Sequence, residues 1–285
     1  MKMNPKQPYD AMVLEGGSLR CAFTAGVLDT FATVGFNPFQ SYYAVSAGSM
    51  ALTSFLSGQR KHFINVSSRL VEDSEFIRFT SAFSEEGLMN LTHLAQVVRS
   101  SDPIDWDAAY AAIEGKRLFI VAADCETGKP HYLQPEKGSW MRLVLASCTL
   151  PLVTRGRIQV GGRWVFDGGY ADAIPLNRAV EDGHQRIVVV RTRPSGFYIE
   201  RATLDWLASY WFRENEAIAK LFEFSHDKYN HVVDQLRTGG NGTAVWAEIA
   251  PYAPLQSDGY RVSASDLRGD YRHGIEAALD WLYNI

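Results

Sequence analysis

The stretch Ser41-Tyr-Tyr-Ala-Val-Ser46-Ala-Gly-Ser-Met-Ala51 carries the fold in miniature. Tyr42 to Val45 is an aromatic and β-branched run, and Ala47 to Ala51 is a run of small residues, so the pattern predicts a strand that turns abruptly into a helix. Ser46 sits on the turn. Such a turn lifts one hydroxyl clear of the backbone, provided the residues two before and two after it are small. Here these are Ala44 and Gly48, so the G-x-S-x-G pattern of a nucleophile elbow reads A-x-S-x-G. Taken alone it is matched by the plainer reading, a serine at a tight strand-to-helix packing point.

Working outward toward the N-terminus, Ala11 to Glu15 is a short apolar run that stops at Gly16-Gly17, as a buried parallel strand feeding a tight loop would. Cys21, Phe23, Val27, Leu28 and Phe31 then recur at helical spacing up to Gly35 and Pro38. Residues 11 to 58 therefore read strand, loop, helix, strand, elbow, helix. A right-handed crossover makes the two strands parallel. The loop at Gly16 and the hydroxyl of Ser46 should then meet at the carboxyl ends of the strands, where open α/β sheets place their ligands.

Further along, Lys61 to Ala112 is mostly helical in pattern. Leu118 to Ala123 is a buried strand, Glu126 to Pro130 a turn, and Trp140 to Ser147 a helix closed by Pro151. Arg157 to Val165 alternates around Gly161-Gly162 as a hairpin and leads into Asp167-Gly168-Gly169. Leu176 to Glu181 reads as a helix and Arg186 to Thr192 as another central strand. Beyond Ser195 aromatic residues gather on a helical pattern (Leu204, Leu207, Trp211, Phe212, Leu221, Phe222, Phe224), which suits a helical cap over the sheet, in preference to a lid or a membrane-facing surface. A final helix is expected from Leu267 to Ile285. The expected division is 10–195 for the α/β part and 196–285 for a mainly helical extension packed on it.

Bulk properties narrow the chemistry. The 285 residues carry a net charge of -4, with 46% hydrophobic and 21% charged residues, as ordinary globular proteins do. That balance leaves no electrostatic footprint for nucleic acid, and none is expected as a partner. Residues 1 to 10 lack the apolar core of a signal peptide, and no apolar run reaches the ~18 residues of a membrane span, so a cytoplasmic location is expected. Cys21, Cys125 and Cys148 are too few and too scattered for a disulfide framework or a zinc site, and read as small buried hydrophobes.

A serine nucleophile needs a base within hydrogen-bond reach and donors for the oxyanion formed on attack. The backbone N–H groups of Gly16, Gly17 and Ser18, at the start of a helix, suit the oxyanion. Arg20 could steady the loop or hold an anionic head group. Asp167 is the candidate base, because the glycines that follow it allow close approach to a partner. A simple Asp-Gly turn is its bland alternative. His62 and His93 read as surface or satisfied histidines.

In their order, Gly16-Gly17-Ser18-Leu19-Arg20-Cys21, Ala44-Val45-Ser46-Ala47-Gly48 and Asp167-Gly168-Gly169 resemble the G-G-G-x-R-G, G-x-S-x-G and D-G-G/A motifs of the patatin-like phospholipase family. Ala122 to Pro130 and Ala146 to Pro151 add weaker likenesses. The resemblance spans roughly residues 10 to 195 and is closest to a bacterial branch with a helical C-terminal extension. It implies a three-layer α/β/α fold with a mostly parallel sheet, and a lipid or ester substrate met in transient contact with a membrane surface. It also implies a catalytic dyad of Ser46 and Asp167, with Gly16, Gly17 and Ser18 as the oxyanion hole. Ser18, Cys21 and Ala44 replace glycines of the pattern; if position 18 requires positive φ, its β-carbon is strained. A Ser-His-Asp triad hydrolase would instead need a late histidine such as His226, His231 or His273, but Ser46 follows a single strand rather than several. Acyl transfer to an alcohol or thiol uses the same dyad, and an idle lipid-binding or regulatory module could keep the fold. The Gly-rich loop is not G-x-G-x-x-G, and no metal-ligand spacing occurs, so neither cofactor nor metal is expected.

Overall fold

A computed structural model describes residues 8–73, 91–150, 156–200, 214–258 and 262–285. Its centre is a sheet in which β1 (Ala11–Leu14) lies between β2 (Ser41–Val45) and β7 (Arg186–Val190), both parallel to it. β2 pairs in parallel with β3 (Arg117–Asp124), and β7 with β8 (Val245–Ile249). β4 (Pro130–Leu133) and β6 (Arg163–Asp167) run antiparallel to β3, and β5 (Ile158–Val160) closes the expected hairpin with β6 through Gly161 and Gly162, both at positive φ.

Side chains alternate across this sheet as the period of a strand requires. Met12, Leu14, Tyr42 and Ala44 enter a core with α1 (Cys21–Val34) and α2 (Ala47–Leu56). Ala11, Val13, Tyr43 and Ile187 face the other way, onto α8 (Leu176–Glu181) and α9 (Glu216–Arg237). Three layers result, an α/β/α sandwich. α3 (His62–Glu72), α4 (Leu91–Ser100), α5 (Trp106–Ala112) and α6 (Trp140–Ser147) complete the first helical layer, and a short α7 (Gly169–Asp172) follows β6. No helix among the described residues is long and apolar enough to cross a membrane.

The register around β3 decides where the chemistry sits. Ile120 and Val121 pair with both β2 and β4, whereas Ala122 and Ala123 pair with both β4 and β6. A strand residue has one neighbour on each edge, so β2 and β6 share one edge of β3 and meet there end to end. Val45 pairs with Val121 and Asp167 with Ala122, one residue on. Both chains must leave the sheet at that point. β2 turns into α2 at Ser46, and β6 into α7 at Gly168, where a β-carbon would come within 2.2 Å of the Val121 carbonyl oxygen.

β8, α9 and α10 (Ala264–Tyr283), all after residue 195, share this sheet and core. β8 extends the sheet beyond β7, and α10 crosses α1 where a glycine on each helix faces the other's backbone. The expected division at 195 thus falls inside one hydrogen-bonded sheet. β8 escaped the sequence reading because a five-residue, half-exposed edge strand gives a weak periodic signal. Of the expected aromatic helix, Leu204, Leu207, Trp211 and Phe212 lie outside the described residues, as does Pro151. Leu221 and Phe222 are buried in α9, and Phe224 is exposed.

Candidate active site

Ser46 is the N-cap of α2 with φ 50° and ψ -132°, a backbone conformation that a side chain resists. Close packing holds it there. A β-carbon on Gly48 would stand 2.8 Å from the Glu15 carbonyl oxygen, and one on Gly16 3.1 Å from Ser46 Cβ. Only a hydrogen at these positions lets the loop after β1 approach the turn after β2. Ala44, by contrast, is an ordinary fully buried strand residue.

Ser46 Oγ donates to Asp167 Oδ2 at 2.6 Å. The other carboxylate oxygen, Oδ1, accepts the Gly169 N–H at 2.7 Å, and Asp167 N–H donates to the Thr149 carbonyl at 2.8 Å. Asp167 is only 4% exposed. Burial pushes its carboxyl up to about 6, against the opposing pull of the bonds from Ser46 and Gly169. A carboxylate with that affinity is ionised at neutral pH and still able to take a proton.

The backbone of the elbow has its own support. Ser46 N–H donates to Ser147 Oγ at 2.8 Å, and that hydroxyl donates to the Val121 carbonyl at 2.5 Å. Ser147 thus satisfies the β3 carbonyl at the point where β2 has left and β6 has not yet begun. Sequence reading noted Ser147 only within the weak likeness of Ala146 to Pro151 and gave it no role, because a serine at the end of a distant helix carries no periodic signal.

Gly16, Gly17 and Ser18 line the same cavity as Ser46 and Asp167. Ser18 has φ 51°, so the position does require the left-handed region and its β-carbon is strained there. Cys21 has φ -66° and needs no glycine. Packed against Gly17 is Thr192, whose Oγ1 donates to the Gly16 carbonyl at 2.9 Å and would lie 2.5 Å from a β-carbon on Gly17. Thr192 N–H in turn donates to Glu15 Oε2 at 2.6 Å, and Glu15 is paired at 2.9 Å with Arg191, which is wholly buried and also bonds Glu248 and Tyr229. These partners were missed, although β7 next to β1 was bound to deliver its carboxyl end to this loop.

Arg20 caps α1 and points to the cavity rim, where its guanidinium donates to Asp258 Oδ1 at 2.7 Å while Arg193 reaches Oδ2 at 3.2 Å. Arg20 therefore ties the loop to the segment before α10. Its Nε is buried and bonded to nothing among the described residues.

The histidines stand elsewhere. His62 bonds Ser54 and the Asp102 carbonyl, His93 pairs with Asp73, His226 with Asp227, His231 lies beside Gln235, and His273 accepts from Tyr252 N–H. No histidine is among the described residues that line the cavity at Ser46, and the position a triad base would take is held by Asp167. Cys148, next to the serine, is buried and its thiol is pushed well up by burial and by the Asp167 charge, so it stays protonated. Gly168 and Gly169 form the turn behind Asp167. No group of three or more His, Cys, Asp or Glu suited to a metal occurs among the described residues.

Comparison with known proteins shows likeness in sequence and in fold. A family model described as patatin-like phospholipase matches residues 12–180. The uncharacterized protein YjjU of Escherichia coli (strain K12) is 30% identical over 280 residues, which cover 96% of this chain and 77% of YjjU. The solved structure of VipD from Legionella pneumophila aligns over 98% of this chain and 67% of its own, with a TM-score of 0.50 at 11% identity, a likeness of fold. The family match takes in more than half of the chain and contains the three segments that meet at Ser46. With the relative at 30% identity beside it, the chain belongs to the patatin-like phospholipase family.

Proposed function

We propose that the protein is a serine lipid acyl hydrolase of the phospholipase, lysophospholipase or carboxylesterase type. The observation that carries this reading is the 2.6 Å bond from Ser46 Oγ to a buried carboxylate whose own affinity for a proton is raised. Asp167 takes the hydroxyl proton as Ser46 Oγ attacks the ester carbonyl carbon. The carbonyl oxygen becomes an oxyanion, held by N–H groups of the Gly16 to Ser18 loop and by the N-terminal end of the α2 dipole. Collapse of the adduct breaks the ester C–O bond, and Asp167 returns its proton to the departing alcohol. In the second half Asp167 deprotonates a water as it attacks the acyl-serine carbonyl, and on collapse the Ser46 Oγ–C bond breaks, Asp167 returns that proton to Ser46 Oγ, and the carboxylic acid leaves. Acid–base assistance of this kind contributes roughly 10²–10⁴-fold, and each oxyanion donor roughly 10²–10³-fold.

A fluorophosphonate probe tests the assignment directly, because it phosphonylates a working serine. Wild-type protein should be labelled and should hydrolyse p-nitrophenyl esters, and Ser46→Ala should do neither while remaining folded. Labelling or turnover that survives Ser46→Ala would remove Ser46 as the nucleophile.

A further inference from the structure

The Gly16–Gly17 peptide is the part of the loop after β1 that has the least to hold it. With glycine on both sides, no β-carbon resists rotation about ψ of Gly16 and φ of Gly17, so the peptide plane turns more freely than others in the loop. A donor that turns serves an oxyanion poorly, because preorganisation is what makes such a group effective. Packing nevertheless requires both glycines. A β-carbon on Gly16 would stand 3.1 Å from Ser46 Cβ, and one on Gly17 2.5 Å from Thr192 Oγ1, so the loop runs between the elbow and Thr192.

Thr192 also sets which way the plane faces. Its Oγ1 donates to the Gly16 carbonyl at 2.9 Å. In a trans peptide the N–H points opposite to the C=O, and no cis bond occurs among the described residues, so this bond turns the Gly17 N–H away from Thr192. That N–H donates to nothing among the described residues, and Gly17 lines the cavity with Ser46 and Asp167. Thr192 is itself fixed. Beyond the last paired residues, Leu14 and Val190, Glu15 N–H donates to the Val190 carbonyl at 3.0 Å. The next rung of a parallel ladder would bring Thr192 N–H to the Glu15 carbonyl, but the Glu15 carboxylate takes it instead, at 2.6 Å. β1 is thereby free to turn at Gly16. Glu15 is 2% exposed, and its carboxylate also accepts from Arg191 Nε at 2.9 Å and from Tyr229 OH at 2.7 Å. Two successive residues, Glu15 and Gly16, thus grip the backbone and the side chain of one threonine that belongs to none of the three motifs.

Resting on the hydrolase reading above, we propose that Thr192 is a positioning residue: it locks the Gly16–Gly17 peptide so that the Gly17 N–H receives the oxyanion formed on the ester carbonyl. Thr192 stands behind the loop, outside the lining of the cavity, and touches no substrate. Its effect therefore arises only as the oxyanion forms. An interaction made only in the transition state lowers kcat and kcat/KM together when it is removed, and leaves KM alone.

Two variants of Thr192 test this. Thr192→Val keeps the shape and removes the hydroxyl, whereas Thr192→Ser keeps the hydroxyl and removes the methyl. With p-nitrophenyl butanoate, Thr192→Val should lose about 10- to 100-fold in kcat at unchanged KM, less than the roughly 10²–10³-fold of an absent oxyanion donor. Thr192→Ser should stay within about threefold of wild type. An alkyl trifluoromethyl ketone gives a second readout. Ser46 Oγ adds to its carbonyl carbon, Asp167 takes the hydroxyl proton, and the carbonyl oxygen becomes the same oxyanion. Its affinity should fall in Thr192→Val by the same factor as kcat/KM. Thr192→Ala, which also lacks the hydroxyl, replaces the valine variant if that one does not fold. For a merely structural residue, activity would follow melting temperature through all the variants and ketone affinity would not track kcat/KM. Wild-type kcat and ketone affinity in folded Thr192→Val, or a serine variant as impaired as the valine one, would overturn the positioning role and leave the hydrolase reading intact. A wild-type protein that hydrolyses no ester and takes no fluorophosphonate would overturn the hydrolase reading, and this role with it.

Discussion

Ser147 holds Ser46 to the sheet: its hydroxyl accepts the Ser46 N–H and donates to the carbonyl of Val121, whose residue pairs with Val45. The bond closes the gap left where two strands end against one edge of β3. It also commits the Ser46 N–H, so any oxyanion donors must come from other N–H groups. The Gly16 to Ser18 loop stands on the same cavity and is the natural source.

Ser147→Ala should therefore cost both stability and rate. It strands a fully buried carbonyl and an amide, for about 1–3 kcal/mol per unsatisfied group. Loss of its anchor lets the elbow shift, and misplacement on the ångström scale costs up to ~10²-fold. Chemical denaturation and steady-state kinetics should show a lower midpoint, with a fall in kcat that exceeds any change in KM. Wild-type kcat in the variant would mean that the elbow holds itself.

The conformation of Ser46 separates strain from chemistry. At φ 50° and ψ -132° a β-carbon costs on the order of 1–3 kcal/mol, which glycine does not incur. Ser46→Gly and Ser46→Ala should be equally inactive, but the glycine variant should melt higher, by about 2–4 °C per kcal/mol of strain relieved. Equal melting temperatures would show that the turn is not strained by its side chain.

Asp167 links activity and stability to pH in opposite senses. Its folded-state affinity, near 6, lies above the ordinary aspartate value of 3.8, so the native state binds the extra proton. This contribution to stability is full below the ordinary value and is lost as pH rises through about 6, on the order of 2–3 kcal/mol in all. The base, however, must be ionised to work, so kcat/KM should rise through the same range and level off above it. Asp167→Asn keeps an acceptor for Gly169 N–H and removes the buried charge. It should lose roughly 10²–10⁴-fold in rate, yet unfold at higher denaturant than wild type at pH 8. A variant less stable than wild type at pH 8 and equal to it at pH 4 would reverse the sign and refute the burial argument.

What was legible in the sequence was local or periodic. Ala11 to Leu14 and Ser41 to Val45 announced parallel strands by their apolar runs, and Ser46 announced a turn by the small residues around it. The meeting of Ser46 with Asp167, 121 residues apart, followed only from the order of three motifs. Contacts without a motif were out of reach. Ser147 to Ser46 spans 101 residues, Thr192 to Gly16 spans 176 and Arg20 to Asp258 spans 238; Thr192 and Asp258 sit in no motif, and the weak likeness over Ala146 to Pro151 gave Ser147 no partner. The left-handed φ of Ser18 was foreseeable as a condition but not as a fact, since only the packed loop imposes it.

The crossing of α1 and α10 decides whether the first 195 residues can stand alone. A β-carbon on Gly274 would lie 2.0 Å from the Phe23 carbonyl oxygen, and one on Gly26 2.0 Å from that of Tyr271. Both contacts are with backbone, so no side chain can swing away and the helices must separate to accept a larger residue. Separation would expose Phe23, Leu28 and Phe31, which are buried in the main core. Removal of residues 196–285 would in addition bare the β7 edge now covered by β8, and unpaired edges promote association. Gly274→Val should therefore destabilise the whole protein by more than ~3 kcal/mol, in a single transition that carries esterase activity down with it. A chain ending at residue 195 should aggregate or fail to melt cooperatively. If that chain instead folded and kept its activity, the C-terminal part would be a separable extension, and the sheet would not need its eighth strand.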